Sequence, residues 1–468
     1  MNRLLRVAAA TLIVSGFLAG CYLEIGDGSG TVGIEIPEVR SMIGAPSADT
    51  GRVYVLNGPN LVPLDGNSFV EFALSAGGAP VTEITVGPVA SGPGYQILLA
   101  FGSREDGIAG STVFVPTDYA LSGEFTVAVG IAARVSLTPV PTPFAPVGPA
   151  ETLGRDLVGI VYTDAGLFTA TSAQLLKGSG TIPSVTFANA GTLPAGRTIN
   201  SLGVGSAWGA TLPWVNTTNG VLPYDGASYD AGFDPLTTSV LSSAAAAVGS
   251  NVYGYMLFDG GLRGVYVPEG QSGPQWLAPI DLSEFVVGSP VSDFAIADSG
   301  GSFYGYFATK LGTFRLSDGL LTDSAVGSVT DFFEEAEYLT VTIDGRNAQI
   351  TRLALNRLNP THLYLGTPRG ALRVSESAIG GGEAVVATLI AGTQGRAVRR
   401  IVVEGDNVAI LTDHFVSVSS NGGTSFTTIP VMASSVGEVS GMFLTPAGML
   451  LISGSHGLVG AAIGAIVQ

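Results

Sequence analysis

Between residues 41 and 138 short apolar runs alternate with Gly, Pro, Asn and Asp. The runs are Arg52–Leu56, Ser68–Leu74, Val81–Val86, Tyr95–Phe101, Thr112–Val115, Glu124–Val129 and Arg134–Leu137. Apolar residues at a period of two mark strands that bury one face, and the punctuating residues mark turns. Phe125, Val127 and Val129, interleaved with Glu124, Thr126 and Ala128, show this most plainly. Seven short strands in about 90 residues predict a small β-sandwich.

From residue 151 onward the pattern changes to a repeat: an apolar strand, a tight turn usually holding glycine, and a second apolar strand. The turns fall at Gly166, Gly209, Gly261, Gly312, Gly370, His414 and Gly457. The copy around Gly209 is the weakest. A period of this size is that of one four-stranded blade, so residues 151–468 are expected to form a seven-bladed β-propeller. One blade is legible in full: Arg400–Val403, a turn at Gly405–Asn407, Val408–Leu411, Phe415–Ser419 and Phe426–Ile429. The turn before its outer strand carries Ser419, Asn421, Gly423, Ser425 and Phe426. It resembles the Asp-box of BNR-type propellers, with Asn421 where aspartate is usual. In that motif the side chain caps its own turn and the aromatic residue packs between sheets. The pair Glu124–Gly130 and Arg134–Leu137 similarly resembles the last hairpin of immunoglobulin-like or transthyretin-like modules.

The two patterned regions are flanked by segments of other character. Arg3 and Arg6 precede an apolar run, Val7–Leu18, that is too short to span a bilayer comfortably. Leu18, Ala19, Gly20 and Cys21 follow, and resemble the lipobox of bacterial lipoproteins. The resemblance implies cleavage before Cys21, acylation of Cys21 and a bacterial envelope location. Tyr22, rather than an aspartate, follows the cysteine, and by the resemblance to Gram-negative lipoproteins this implies the outer membrane. Acyl chains then make the membrane a partner through the N-terminal anchor. Residues 22–40, rich in Gly and acids, read as a flexible tether. Five of the 11 residues from Pro139 to Pro149 are proline, which marks a semi-rigid linker at 139–150.

Composition narrows the function classes. Acids outnumber bases 37 to 20, a net charge of -17, so no basic surface exists to replace phosphate counterions and a nucleic-acid partner is not expected. A single cysteine rules out a disulfide scaffold, and 46% hydrophobic content is ample for a core. The repeat alignment gathers Asp164, Asp259, Lys310, Arg369, Asp413, His414 and His456 into a polar ring on one face of the propeller, the candidate binding residues. Two histidines on separate blades make a poor metal site, so neither metal nor cofactor is expected. Arg263, Arg315 and Arg373 recur at equivalent strand positions, which points to structural roles. Asp331, Glu334, Glu335 and Glu337 fall in the longest interval between turns. Hydrolase elbows, phosphate loops and His-Glu-x-x-His are missing from the sequence. The resulting expectation is a lipid-anchored, non-catalytic binding or scaffold module with a protein or glycan ligand. The alternatives are a glycoside hydrolase or lyase on the same face, and an outer-membrane assembly factor.

Overall fold

The computed structural model describes residues 29–36, 48–64, 66–76, 79–130, 132–207, 210–230, 238–258, 261–269, 275–276, 291–299, 301–317 and 337–467. It divides into two units: residues up to 103 together with 117–141, and residues 104–116 together with those from 142 onward. Both are almost entirely β. Cys21 and the whole leader lie outside the described residues. Among the described residues no helix is long and apolar enough to cross a membrane.

The first unit holds two main sheets. In the smaller, Ser29–Glu35 lies between Ala132–Ser136, to which it runs parallel, and Glu83–Ala90, antiparallel. The larger is centred on Gly92–Asp106, flanked by Thr112–Leu121 and Thr50–Asn57. One core draws on both: Val32 and Ile34 from the smaller sheet meet Val53, Val55, Ile97, Leu99 and Phe101 from the larger. The i, i+2 spacing of these residues is what lets one face of each strand enter that core.

Two expectations change here. The stretch read as a flexible tether contains the strand Ser29–Glu35, whose Val32 and Ile34 are fully buried. Their alternation with Thr31 and Glu35 outweighs the surrounding glycines. The expected last hairpin is also absent: Phe125–Val127 pairs with Gly92–Asp106, while Ala132–Ser136 joins the other sheet.

The second unit is a β-propeller built from successive antiparallel sheets. The first strands of these sheets are Gly159–Thr163, Ile199–Ala207, Val240–Val248, Asp293–Ser299, Arg352–Leu355, Val398–Glu404 and Val439–Leu444. Each touches the next in chain order, and Val439–Leu444 touches Gly159–Thr163 again. The cores lie between neighbouring sheets. Tyr255 packs edge-on to Phe307 of the following sheet at 5.0 Å between ring centroids. Leu411 and Val416 pack against Leu450 and Ile452. A sheet with two apolar faces can bury both only by meeting neighbours on both sides, which is the physical basis of the ring.

The proline-rich stretch, expected as a linker, takes part in this closure. Ala145–Pro146 adds an outer strand to Gly457–Ala462 (Ala145↔Gly460, Pro146↔Val459). An edge position tolerates proline because no further strand needs its missing N–H. Pro149 opens the short helix Pro149–Thr152, where its fixed φ fits.

The repeated glycine has a specific cause. At the turn from second to third strand a threonine hydroxyl bonds the carbonyl three residues on: Thr217 to Gly220 at 2.8 Å, Thr309 to Gly312 at 3.0 Å, Thr367 to Gly370 at 2.7 Å and Thr412 to Phe415 at 3.1 Å. Gly312, Gly370 and Gly457 have φ of +143°, +136° and +128°. A Cβ there would lie 2.4, 2.9 and 2.6 Å from backbone or side-chain atoms of the segment packed outside. The long interval between Gly312 and Gly370 supplies two strands of a small extra sheet, Val341–Ile343 and Arg346–Asn347, and Val385–Val386, beyond Gly370, adds the third.

Candidate functional site

Neighbouring strands run antiparallel, so the start of each first strand and the turn between second and third strands share one end of the ring. Chemistry collects there because of a recurrent irregularity. The first strands slip register by one residue at Asn200, Leu241, Arg399 and Ser440. Such a bulge leaves one residue outside the ladder and frees its carbonyl. The freed carbonyls bind the neighbouring strand. Ser201 Oγ donates to Leu241 O at 2.7 Å, Arg352 Nε donates to Arg399 O at 2.6 Å, and Arg400 Nη2 donates to Ser440 O.

These bonds fix the heads of Arg352 and Arg400, whose charges both bear on one carboxylate, Asp293. Asp293 Oδ1 accepts from Phe294 N and Oδ2 from Leu353 N, both at 3.0 Å. Burial pushes the Asp293 carboxyl up, opposed first by Arg352 and more weakly by Arg400. Burial pulls Arg400 down, Arg352 adds to that through like charge, and Asp293 opposes both. Arg352 and Asp293 are half-buried and Arg400 is exposed. Arg352 spends Nε and Nη1, the latter on Thr351 O at 2.7 Å.

The residues expected from the sequence take varied places. Lys310, Arg369, Asp413, His414 and His456 lie on turns between second and third strands, at the same end as Arg352 and Arg400. Asp413 pairs with Arg399 beside the cluster: its Oδ1 accepts from Arg399 Nε at 2.6 Å. Arg369 pairs with Asp344 at 3.2 Å on an exposed part of the rim. Burial pulls His414 down against the nearby Asp413 charge, while Arg396 and Arg399 add to the lowering. The His456 backbone is tied to Val436 O and Gly154 N.

Asp164 does not join this ring. It sits between the first and second strands of its sheet, at the opposite end, and accepts from Thr211 N at 3.0 Å. The repeat alignment slipped by one strand there because Thr163 and Gly166 imitate the Thr-x-x-Gly turn, with a 3.4 Å bond of the same kind. The equivalent turn in that sheet is Thr171–Gln174. Asp259 lies outside the described residues, as do Asp331, Glu334 and Glu335. Glu337 pairs with Arg315, whose Nε donates to Glu337 Oε2 at 2.7 Å, and Arg315 also binds Glu376.

The turn at Ser419–Ser425 has the expected self-capping. Asn421 Oδ1 accepts from Thr424 N at 3.1 Å and Ser425 N at 3.0 Å, and Ser419 Oγ accepts from Gly423 N at 3.0 Å. Among the described residues no group of three or more His, Cys, Asp or Glu is placed to hold a metal ion.

Asp293, Arg352 and Arg400 were missed by sequence reasoning. Counting back from each Thr-x-x-Gly turn to the start of the same sheet would have put all three at corresponding positions. Their convergence depends on ring closure, which no local signal carries.

No protein-family model matches the sequence, and no curated protein does. Among solved structures, the extracellular domain of a putative one component system from B. thetaiotaomicron is similar over 68% of this chain, at 13% identity and a TM-score of 0.48. The similar part covers 39% of that chain. YCF48 from Cyanidioschyzon merolae is similar over 68% of this chain and 98% of its own, at 12% identity and a TM-score of 0.48. The WD40 beta propeller domain of Doa1 is similar over 68% and 96%, at 13% identity and a TM-score of 0.44.

Proposed function

We propose that this chain is a lipid-anchored bacterial envelope protein, acylated at Cys21 and placed in the outer membrane. In this reading a β-sandwich precedes a seven-bladed propeller that works as a binding or scaffold module without covalent chemistry. Recognition of a protein or glycan ligand takes place at the end of the ring that carries the turns from second to third strand, the crossover end, where Arg352, Arg400 and the rim residues Lys310, Arg369, Asp413, His414 and His456 lie.

The observation that carries the reading is the engagement of Asp293. Both of its oxygens accept backbone amides, and the charges that bear on it are those of two arginines. A glycosidase needs two carboxylates, one free to give a proton and one free to attack or activate water. Asp293 is tied to two amides, and the charges that bear on it are those of arginines, so among the described residues it lacks the companion carboxylate that such chemistry needs.

Two measurements test the reading. Metabolic labelling with a palmitate analogue should mark the wild type and spare Cys21→Ala; equal labelling would remove the anchor. The purified protein, screened against glycan and peptide arrays and against chromogenic glycosides, should bind without turnover. Turnover lost in Asp293→Asn would make it an enzyme.

A further inference from the structure

Two arginines on neighbouring sheets, whose charges act on each other and on a single carboxylate, form an unbalanced cluster. The imbalance stands out in a chain of 37 acids and 20 bases. Backbone carbonyls fix both heads: Arg352 Nε on Arg399 O and Nη1 on Thr351 O, Arg400 Nη2 on Ser440 O. That leaves Arg352 Nη2 and Arg400 Nε and Nη1 with protons to donate. Asp293 cannot take them all, because each of its oxygens already accepts an amide.

Resting on the recognition reading above, we infer that Arg352 and Arg400 together hold a carboxylate monoanion at the crossover end of the ring. Two guanidinium charges and one carboxylate leave one positive charge to match, which suits one carboxylate better than a phosphate dianion. Planar guanidinium donors fit the two oxygens of a carboxylate, and their immobilisation before binding lowers the entropy lost on contact. The bulges at Arg399 and Ser440 are what fix them, so the site is a product of the ring and of no single sheet.

The test titrates the full chain with N-acetylglycine, its neutral amide, galacturonate, galactose and inorganic phosphate, followed by calorimetry and the arginine Nε–H resonances. N-acetylglycine or galacturonate should bind, and whichever binds tighter identifies a peptide terminus or a sugar acid as the source. Phosphate should bind more weakly. Arg352→Gln and Arg400→Gln should each weaken carboxylate binding about tenfold or more, and Arg400→Lys should retain part of it. Arg357→Gln, at the opposite end of the ring and paired with Asp298, should change nothing. Thermal melting of each variant separates lost binding from lost fold. Equal affinity for the amide or for galactose, or unchanged affinity in folded Arg352→Gln and Arg400→Gln, would overturn the carboxylate site and leave the recognition reading standing. Turnover of a probe would overturn the recognition reading itself.

Discussion

Closure of the ring can be tested at Gly457, where the last sheet meets the segment that enters before the first. Gly457 has φ +128°, a region that L-residues rarely adopt. A Cβ there would sit 2.6 Å from Thr152 O, 0.8 Å short of the 3.4 Å at which ordinary contact begins. Thr152 cannot easily retreat. Its Oγ1 donates to Val147 O at 2.8 Å, its N donates to Gly148 O at 3.0 Å, and it is fully buried. Gly154 N is tied across the same junction to His456 O at 2.8 Å. The unfavourable φ costs about 1–2 kcal/mol and the forced contact about 1–3, so Gly457→Ala should lose about 3 kcal/mol. With roughly 2.1 cal/mol/K of unfolding entropy per residue over the second unit, that lowers Tm by about 4 °C. Gly464→Ala is the matched control. It lies in the short helix Ile463–Ile466, and a Cβ there meets nothing within 4 Å. Both substitutions restrict the unfolded chain equally, so their difference reports on the folded state. Scanning calorimetry should show Gly457→Ala melting well below wild type and Gly464→Ala at or slightly above it. Hydrogen exchange in Gly457→Ala should lose protection at Val147 N, which donates to Leu458 O at 2.9 Å. Equal melting of the two variants would refute the closure argument.

Three further expectations follow from the same structure. Thr367→Val should cost about 2 kcal/mol, because it leaves the Arg369 N–H and the Gly370 carbonyl without the hydroxyl that serves both; denaturant unfolding measures it. Trp214→Ala should cost about 3–5 kcal/mol, because Trp214 is fully buried in a cluster with Val221, Ala245, Met256 and Val265; the same unfolding curve checks it. Burial lowers the pKa of His414 below its ordinary 6.5, so the unfolded chain binds protons that the folded chain refuses. His414 therefore lets stability drain away as pH falls through 6.5 toward the folded value. The stability of wild type relative to His414→Gln, measured by denaturation between pH 7.5 and 5, should shrink as pH falls; a constant difference would remove His414 as a source.

What the sequence determined by itself was local. Period-two alternation located the strands around Val53 and Ile97. The blade 398–430 was legible strand by strand because its turns are short and each strand carries its own apolar pattern. The recurring Thr-x-x-Gly turn announced a repeat, since a left-handed backbone beside packed neighbours demands glycine wherever it recurs. The same local character limited the reading. Thr163 and Gly166 satisfy the turn chemistry at the wrong end of their sheet and carried Asp164 with them. Ser29–Glu35 and Ala145–Pro146 carry too little pattern of their own. Their strand character comes from partners about 50 and 310 residues away, Glu83–Ala90 and Gly457–Ala462. Only the tertiary structure could bring Asp293, Arg352 and Arg400 together. They belong to three different sheets, and their neighbourhood exists because strands with two apolar faces must close a ring before either face is dry.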